Sequence, residues 1–176
     1  MAGGGDFRGL PTWLAAWLTL SVLVVTWDAT FVLTRPHSMP GGNLNWLYSP
    51  YNLYITIDKR YGDMEDSFGL AQSWLNIVEI FLGIVALILN YQRKPSALLV
   101  TLVVCTMTFW KTVLYNLMYT RLANGEELGT DDPMMIIFCF VIPNGCWVLF
   151  PGLAMWYLYN DILRRITSGV SHGKQN

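Results

Sequence analysis

The chain has few charged residues for its length. Only 13% of its 176 residues are Asp, Glu, Lys or Arg, whereas a soluble domain usually carries roughly a quarter. Hydrophobic residues make up 53%, and the length leaves room for one domain. The net charge of −1 offers no basic surface for phosphates, which excludes nucleic acid as a partner. The composition therefore predicts a single integral membrane domain over residues 1–176.

Residue types that hold metals and cofactors are also scarce. The cysteines, Cys105, Cys139 and Cys146, lie in apolar runs without CxxC spacing or a neighbouring histidine. We interpret them as small packing residues rather than metal ligands or disulfide partners. The sequence carries no nucleotide-binding glycine loop or redox-cofactor motif. We therefore expect no metal and no cofactor.

Apolar stretches long enough to cross a bilayer, which takes about 20 residues, recur along the chain. The first is too long for the apolar core of a signal peptide, so we expect it to be retained as a span. The prolines at 143 and 151 should kink the last stretch. This pattern predicts an all-α membrane protein, a four-helix transmembrane bundle with spans at about Thr12–Thr34, Leu70–Tyr91, Ser96–Tyr119 and Pro133–Asn160.

The connector between the first two spans, residues 35–69, is rich in aromatic residues. Such density suits a membrane interface, so we expect a partly structured lid against the mouth of the bundle, with a solvated loop as the alternative. The Lys/Arg balance of the two sides places both termini in the cytosol and the connector in the lumen. We expect the short termini to be mobile. The aromatic residues are Trp46, Tyr48, Tyr51, Tyr54 and Tyr61.

Three ionisable residues lie inside different spans: Asp28, Glu79 and Lys111. A charge at this depth costs several kcal/mol, so such residues usually face a cavity and find partners. Counted at a rise of about 1.5 Å per residue, all three and Asn144 fall in one layer of the bilayer. We therefore predict that they surround a shared cavity.

Other polar residues share the helix faces of these four. Spacings of three, four and seven residues place them on one stripe of each span. Taken singly, any of them could be an interhelical contact. We predict Asp28, Glu79 and Lys111 as catalytic residues and Gln72, Asn76, Thr108, Tyr115, Asn144 and Trp147 as substrate-binding residues.

The charge count of the spans indicates acid–base chemistry. Two carboxyl groups face one lysine, so one carboxyl lacks a counter-charge and should keep its proton in a dry cavity. A protonated acid of this kind can act as a general acid, and tryptophan faces stabilise cations. Protonation and deprotonation through a carbocation would move a double bond in a sterol or related terpenoid. A non-catalytic lipid-binding protein and a terpenoid cyclase or isomerase of secondary metabolism are the alternatives.

Four parts of the sequence resemble a known family over about residues 13–165. They are Trp27–Leu33, the helix of Glu79, Val113–Tyr115 and, most specifically, Phe140–Gly152 with the pattern Asn-x-x-Trp-x-x-x-Pro. The chain is similar here to the EXPERA family, which includes emopamil-binding protein, the sterol Δ8-Δ7 isomerase, and the sigma-2 receptor. The resemblance implies a four-helix bundle of the endoplasmic reticulum with a sterol-sized pocket, and it leaves homodimer formation open.

By position, the resemblance gives roles to four residues. Asp28 matches the family's first-helix acid, Glu79 its second-helix glutamate (with Gln72 as the alternative), and Asn144 and Trp147 the pair that contacts a ligand's cationic centre.

The chain also departs from the isomerase. It has Val24 where the isomerase has a histidine, and Lys111 where the isomerase has a small residue. The missing histidine favours the alternative of a non-catalytic sterol-binding protein like the sigma-2 receptor.

Overall fold

Helices form all of the regular structure in the part of the chain that is described. A computed structural model describes residues 7–123, 125 and 127–173, with side chains as far as residue 168, and no strand occurs within them. In chain order the elements are α1 (Thr12–Leu33), α2 (Tyr51–Ile57), α3 (Lys59–Gly62), α4 (Ser67–Tyr91), α5 (Ser96–Leu117), a 3₁₀ turn (Arg121–Ala123), α6 (Pro133–Met135), a π-helical segment (Ile136–Val141) and α7 (Ile142–Gly173).

Four of the helical segments are long and apolar enough to cross a membrane. They are α1, α4, α5 and the continuous stretch Pro133–Ser168 that joins α6, the π-helical segment and α7. The predicted all-α fold with four candidate spans is thereby confirmed. The expectation of mobile termini concerns mainly residues 1–6 and 174–176, which lie outside the described residues.

The four spans pack in a closed circle. α4 lies between α1 and α5, and α5 packs against α7. α1 meets α7 through aromatic side chains, since Trp17 stacks on Phe150 with ring centroids 4.7 Å apart. Large apolar side chains such as Trp74 and Trp110 point outward and are about 60% exposed. A large exposed apolar surface of this kind suits contact with lipid.

Capping groups and charge pairs, which hydropathy does not detect, help to determine where α4 begins and where α7 ends. α4 begins at Ser67, ahead of the predicted Leu70, because the Asp66 carboxylate accepts a hydrogen bond from the Gly69 N–H at 3.0 Å. α7 runs to Gly173, well past the predicted Asn160. Beyond the apolar stretch, Arg165 pairs with Asp161 one turn earlier at 2.8 Å. Such a pair supports a helix in water.

The fourth span departs from regular α-helix just before Pro143. α6 is capped by the Asp132 carboxylate, which accepts from the Met134 N–H at 2.9 Å. Six residues of π-helix, Ile136–Val141, then precede α7. Proline has no N–H to bond the carbonyl four residues earlier, and a wider turn relieves the clash with that carbonyl. This segment therefore sets the rotation of the residues that follow it.

The connector, which the structure bounds at residues 34–66, folds against the end of α1. Its tyrosines pack on Phe31 and Val32 in a cluster whose buried members include Tyr48 and Tyr51, whereas Trp46 is exposed. The Arg35 guanidinium donates to the carbonyl oxygens of residues 60, 61 and 63 at 3.3, 3.1 and 2.8 Å. These contacts hold α2 and α3 across the bundle, so the connector is an ordered cover rather than a solvated loop.

Candidate functional site

A cavity of about 550 Å³ lies where the four spans and the connector meet. Its volume is within the roughly 300–1,000 Å³ of small-molecule sites. All four spans and the connector contribute side chains to the wall. Its aromatic residues are Trp27, Tyr51, Tyr54, Tyr61, Tyr115 and Trp147.

The predicted site residues fall into two layers around this cavity. Glu79 and Thr108 are buried behind the wall, and Glu79 reaches the cavity through its contact with Lys111. The other predicted residues line the cavity directly: Asp28, Gln72, Asn76, Lys111, Tyr115, Asn144 and Trp147.

The two oxygens of the Asp28 carboxyl have different surroundings. Oδ1 accepts hydrogen bonds from the Tyr51 hydroxyl at 2.7 Å and from the Tyr61 hydroxyl at 3.0 Å. Within the described part of the chain, Oδ2 has only a long contact of 3.5 Å with Nδ2 of Asn76. Two strong donors satisfy the first oxygen, so the second is the one available to a molecule in the cavity.

The tyrosines that hold Asp28 remain hydrogen-bond donors at neutral pH. Burial raises the pKa of the Tyr51 and Tyr61 hydroxyls, and the negative charge of Asp28 raises the pKa of both further. A phenol that keeps its proton stabilises the carboxylate form of its partner. The connector thus supplies groups that stabilise the carboxylate form of Asp28.

Glu79, by contrast, has a counter-charge. Its Oε2 accepts from Nζ of Lys111 at 2.7 Å and its Oε1 accepts from the Thr108 hydroxyl at 2.7 Å. Its side chain is only 3% exposed. Lys111 also donates to Oδ1 of Asn76, whose Nδ2 faces Asp28. The three ionisable residues therefore form one connected cluster, in which Asp28 is the carboxyl without a directly paired cation.

Asn144 and Trp147 form the wall contributed by the fourth span. Nδ2 of Asn144 donates to the Phe140 carbonyl at 2.9 Å, back into the π-helical segment. That bond fixes the orientation of the Asn144 carboxamide. The Trp147 ring packs edge-on against Trp17 at 5.1 Å between centroids. Asn144 is thus held in place by the π-helical segment and Trp147 by α1.

Asp58 was not among the residues predicted from the sequence. Asp58 is fully buried and accepts from three tyrosine hydroxyls: Tyr115 at 2.5 Å, Tyr119 at 2.6 Å and Tyr54 at 3.2 Å. Burial raises the pKa of Asp58, and these hydrogen bonds oppose that rise. Tyr54 at one helical turn's spacing was the available signal, but the charged neighbours at 59 and 60 obscured it.

The fold and the cavity together define a class: a helical bundle with four candidate membrane spans and a polar cluster at an aromatic-walled cavity. A scan against protein-family models found no match to this chain, and neither did a search of curated proteins.

Proposed function

We propose that the protein is a cofactor-independent isomerase that moves a double bond in a sterol or related terpenoid. One observation carries the proposal: Asp28 faces the cavity, lacks a directly paired cation and presents one oxygen that tyrosines do not occupy. We further propose an EXPERA-type assignment, residence in the endoplasmic reticulum with a luminal connector, and the option of a homodimer, all on the sequence resemblance.

The chemistry begins with a proton on Oδ2 of Asp28. Transfer of that proton to one carbon of the double bond leaves a carbocation on the other carbon, and the Tyr51 and Tyr61 hydroxyls stabilise the carboxylate that forms. The adjacent C–H then returns a proton to the same carboxylate, and its electron pair forms the new double bond. Asp28 is protonated again at the end, so no other reactant is consumed.

Aromatic and amide groups of the cavity suit the intermediate of this reaction. The rings of Trp27 and Trp147 line the cavity, and aromatic faces attract a cation. The charge of Lys111 would oppose a nearby carbocation, but Glu79 at 2.7 Å neutralises it. The carboxamide of Asn144, held by the Phe140 carbonyl, can direct its oxygen toward positive charge.

The second candidate is a non-catalytic sterol- or lipid-binding protein of the sigma-2 receptor type. Val24 favours it, because this wall residue of α1 is apolar where the isomerase has a histidine. In that case Asp28, surrounded by tyrosine and tryptophan rings, would hold the amine of a ligand. Such a protein would bind without turnover.

The experiment compares turnover in purified variants. Wild-type protein in lipid nanodiscs, incubated with sterols that carry a double bond in the ring system, should shift that double bond, as followed by mass spectrometry. Asp28→Asn should lower the rate about 100-fold or more, the usual contribution of a general acid. Asp161→Asn, at the exposed end of α7, is the matched control and should behave as wild type.

Each outcome decides between the candidates. An active Asp28→Asn variant would refute the assignment of the acid. If wild-type protein binds the sterols without shifting the double bond, the second candidate, a non-catalytic binding protein, becomes the assigned function. Glu79→Gln should reduce turnover less than Asp28→Asn does, because Glu79 acts from behind Lys111.

A further inference from the structure

Lys111 has a hydrogen-bond donor left over at the cavity wall. An ammonium group has three N–H donors. Oε2 of Glu79 takes one at 2.7 Å and Oδ1 of Asn76 takes another. Among the described residues, no third acceptor contacts Nζ, and the side chain lines the cavity while being only 13% exposed. A ligand in the cavity is therefore the natural acceptor for the third N–H.

The charges around Lys111 select the kind of acceptor. Glu79 already neutralises the ammonium. A ligand carboxylate would add a second negative charge beside an ammonium that is already balanced, whereas a ligand amine at this point would face the ammonium. Like charges in a low-dielectric site repel strongly. A neutral oxygen avoids both costs and satisfies the donor.

Asn76 fixes the distance between this oxygen and the reacting group. Its Oδ1 contacts Nζ of Lys111 and its Nδ2 lies 3.5 Å from Oδ2 of Asp28. One carboxamide thus bridges the donor and the acid, with a hydrogen bond on the Lys111 side and the 3.5 Å contact on the Asp28 side. An oxygen bound at Lys111 would lie a few bonds from the carbon that meets Asp28.

We propose that Lys111 binds a neutral oxygen, the carbonyl or hydroxyl group, of an otherwise apolar substrate, and that this oxygen lies close to the double bond that moves. The part of the proposal that concerns the moving double bond rests on the proposed function, but the binding part does not. The protein is then selective for oxygenated sterols or terpenoids over their hydrocarbon analogues. Lys111 acts as a substrate-binding residue, and Asn76 positions it.

The test measures binding of three probes that share one skeleton: cholestenone, cholesterol and the hydrocarbon cholestene. The key variant is Lys111→Met with Glu79→Gln, which removes both charges of the pair and leaves no unpaired ion. Glu79→Gln alone, which keeps the ammonium, is the matched control. Affinities are measured in nanodiscs by displacement of radiolabelled cholestenone. Each probe's partition into lipid is common to all variants, so it cancels in the ratio between variants.

The expected result is selective loss. The double variant should bind the oxygenated probes about 10- to 100-fold more weakly, as when one hydrogen bond from a charged donor is lost. Its affinity for cholestene should be unchanged, and Glu79→Gln alone should keep the preference for oxygen. If cholestenone loses more affinity than cholesterol, the preferred group is a carbonyl. If cholesterol loses more affinity, the preferred group is a hydroxyl.

Two results would overturn the proposal. Equal affinities of wild type and double variant for all three probes would show that Lys111 does not contact the ligand. Equal loss for all three probes would show that it only shapes the cavity. Because Asp28→Asn leaves Lys111 in place, that variant should retain the preference for oxygen even without turnover. Failure of the isomerase proposal is thereby distinguishable from failure of this one.

Discussion

At the scale of single residues, the site depends on an unequal division of partners between two carboxyl groups. Glu79 receives the only lysine of the cluster and a threonine hydroxyl, whereas Asp28 receives two tyrosine hydroxyls and one amide at long range. The first carboxyl has a cation as its direct partner. The second has neutral donors, which stabilise its ionised form without a counter-charge. Under the proposed function, Asp28 is therefore the carboxyl that exchanges a proton.

Tyr61→Phe should lower turnover about tenfold. The change removes the 3.0 Å hydrogen bond to Oδ1 of Asp28 but keeps the ring, which stacks near Tyr51. One such bond to a charged group is worth about 1.5–3 kcal/mol. Without it, the carboxylate that Asp28 forms on donating its proton is less stable, and part of that energy is added to the barrier. Tyr48→Phe is the control, since Tyr48 packs in the same aromatic cluster without contacting a carboxyl. Double-bond migration, measured at saturating substrate, gives the rates; equal rates in the two variants would contradict the role assigned to Tyr61.

At the scale of elements, the connector is attached to the bundle by its buried acid. Asp58 lies between α2 and α3, and two of its three hydroxyl partners, Tyr115 and Tyr119, come from the end of α5 and just beyond it. Tyr61, two residues after α3 begins, reaches Asp28. A change at Asp58 therefore moves the groups that stabilise the acid of the cavity. The cover and the site are one structural unit.

The attachment of the connector to the bundle through Asp58 should weaken as the pH rises above the ordinary pKa of an aspartic acid. Burial raises the pKa of Asp58 above its ordinary 3.8, so folding favours the protonated form. The stability that Asp58 contributes is complete below 3.8 and is lost as the pH rises through its folded-state pKa. The measurement is protection of residues 51–62 from hydrogen exchange across this pH range.

Asp58→Asn supplies the reference for that experiment. Asparagine cannot titrate, so the difference between wild type and variant removes the intrinsic pH dependence of exchange. The difference in protection between wild type and Asp58→Asn should decline with rising pH. Asp58→Ala should lower the free energy of unfolding by about 3 kcal/mol, because the buried Tyr115 hydroxyl and the half-buried Tyr119 and Tyr54 hydroxyls lose their acceptor. A pH-independent difference would show that Asp58 keeps one protonation state throughout.

At the scale of the whole molecule, the sequence predicted the scaffold better than the contacts within it. Long apolar runs identified all four spans, and the helical rise brought Asp28, Glu79 and Lys111 to one depth. The pairing of Lys111 with Glu79 rather than Asp28 depends on how each helix is rotated about its axis. Apolar composition does not encode that rotation.

Two other features lay beyond prediction for related reasons. Pro143 predicts a break in regular α-helix at this point, but proline alone does not specify that the break is a π-helical segment of six residues. Asp58 is buried by contacts with residues about sixty positions away, and no local pattern reveals a partner at that separation. The sequence therefore predicted which residues approach the cavity, but not which of them bond to one another.

The orientation of the bundle in the membrane gives the last prediction. Four spans put the two ends of the chain on one side, together with the turn between α4 and α5 that holds Arg93 and Lys94. Arg164 and Arg165, near the C-terminal end of α7, belong to that side as well. Because basic residues are enriched on the cytosolic side of membrane proteins, we expect this side to be cytosolic. An N-glycosylation acceptor inserted in the loop at residues 127–130 should be modified in the endoplasmic reticulum, whereas one inserted at Arg93–Lys94 should not. Modification at Arg93–Lys94 alone would show that the orientation is the reverse of this one. Asp28 would then lie in the cytosolic half of the bilayer.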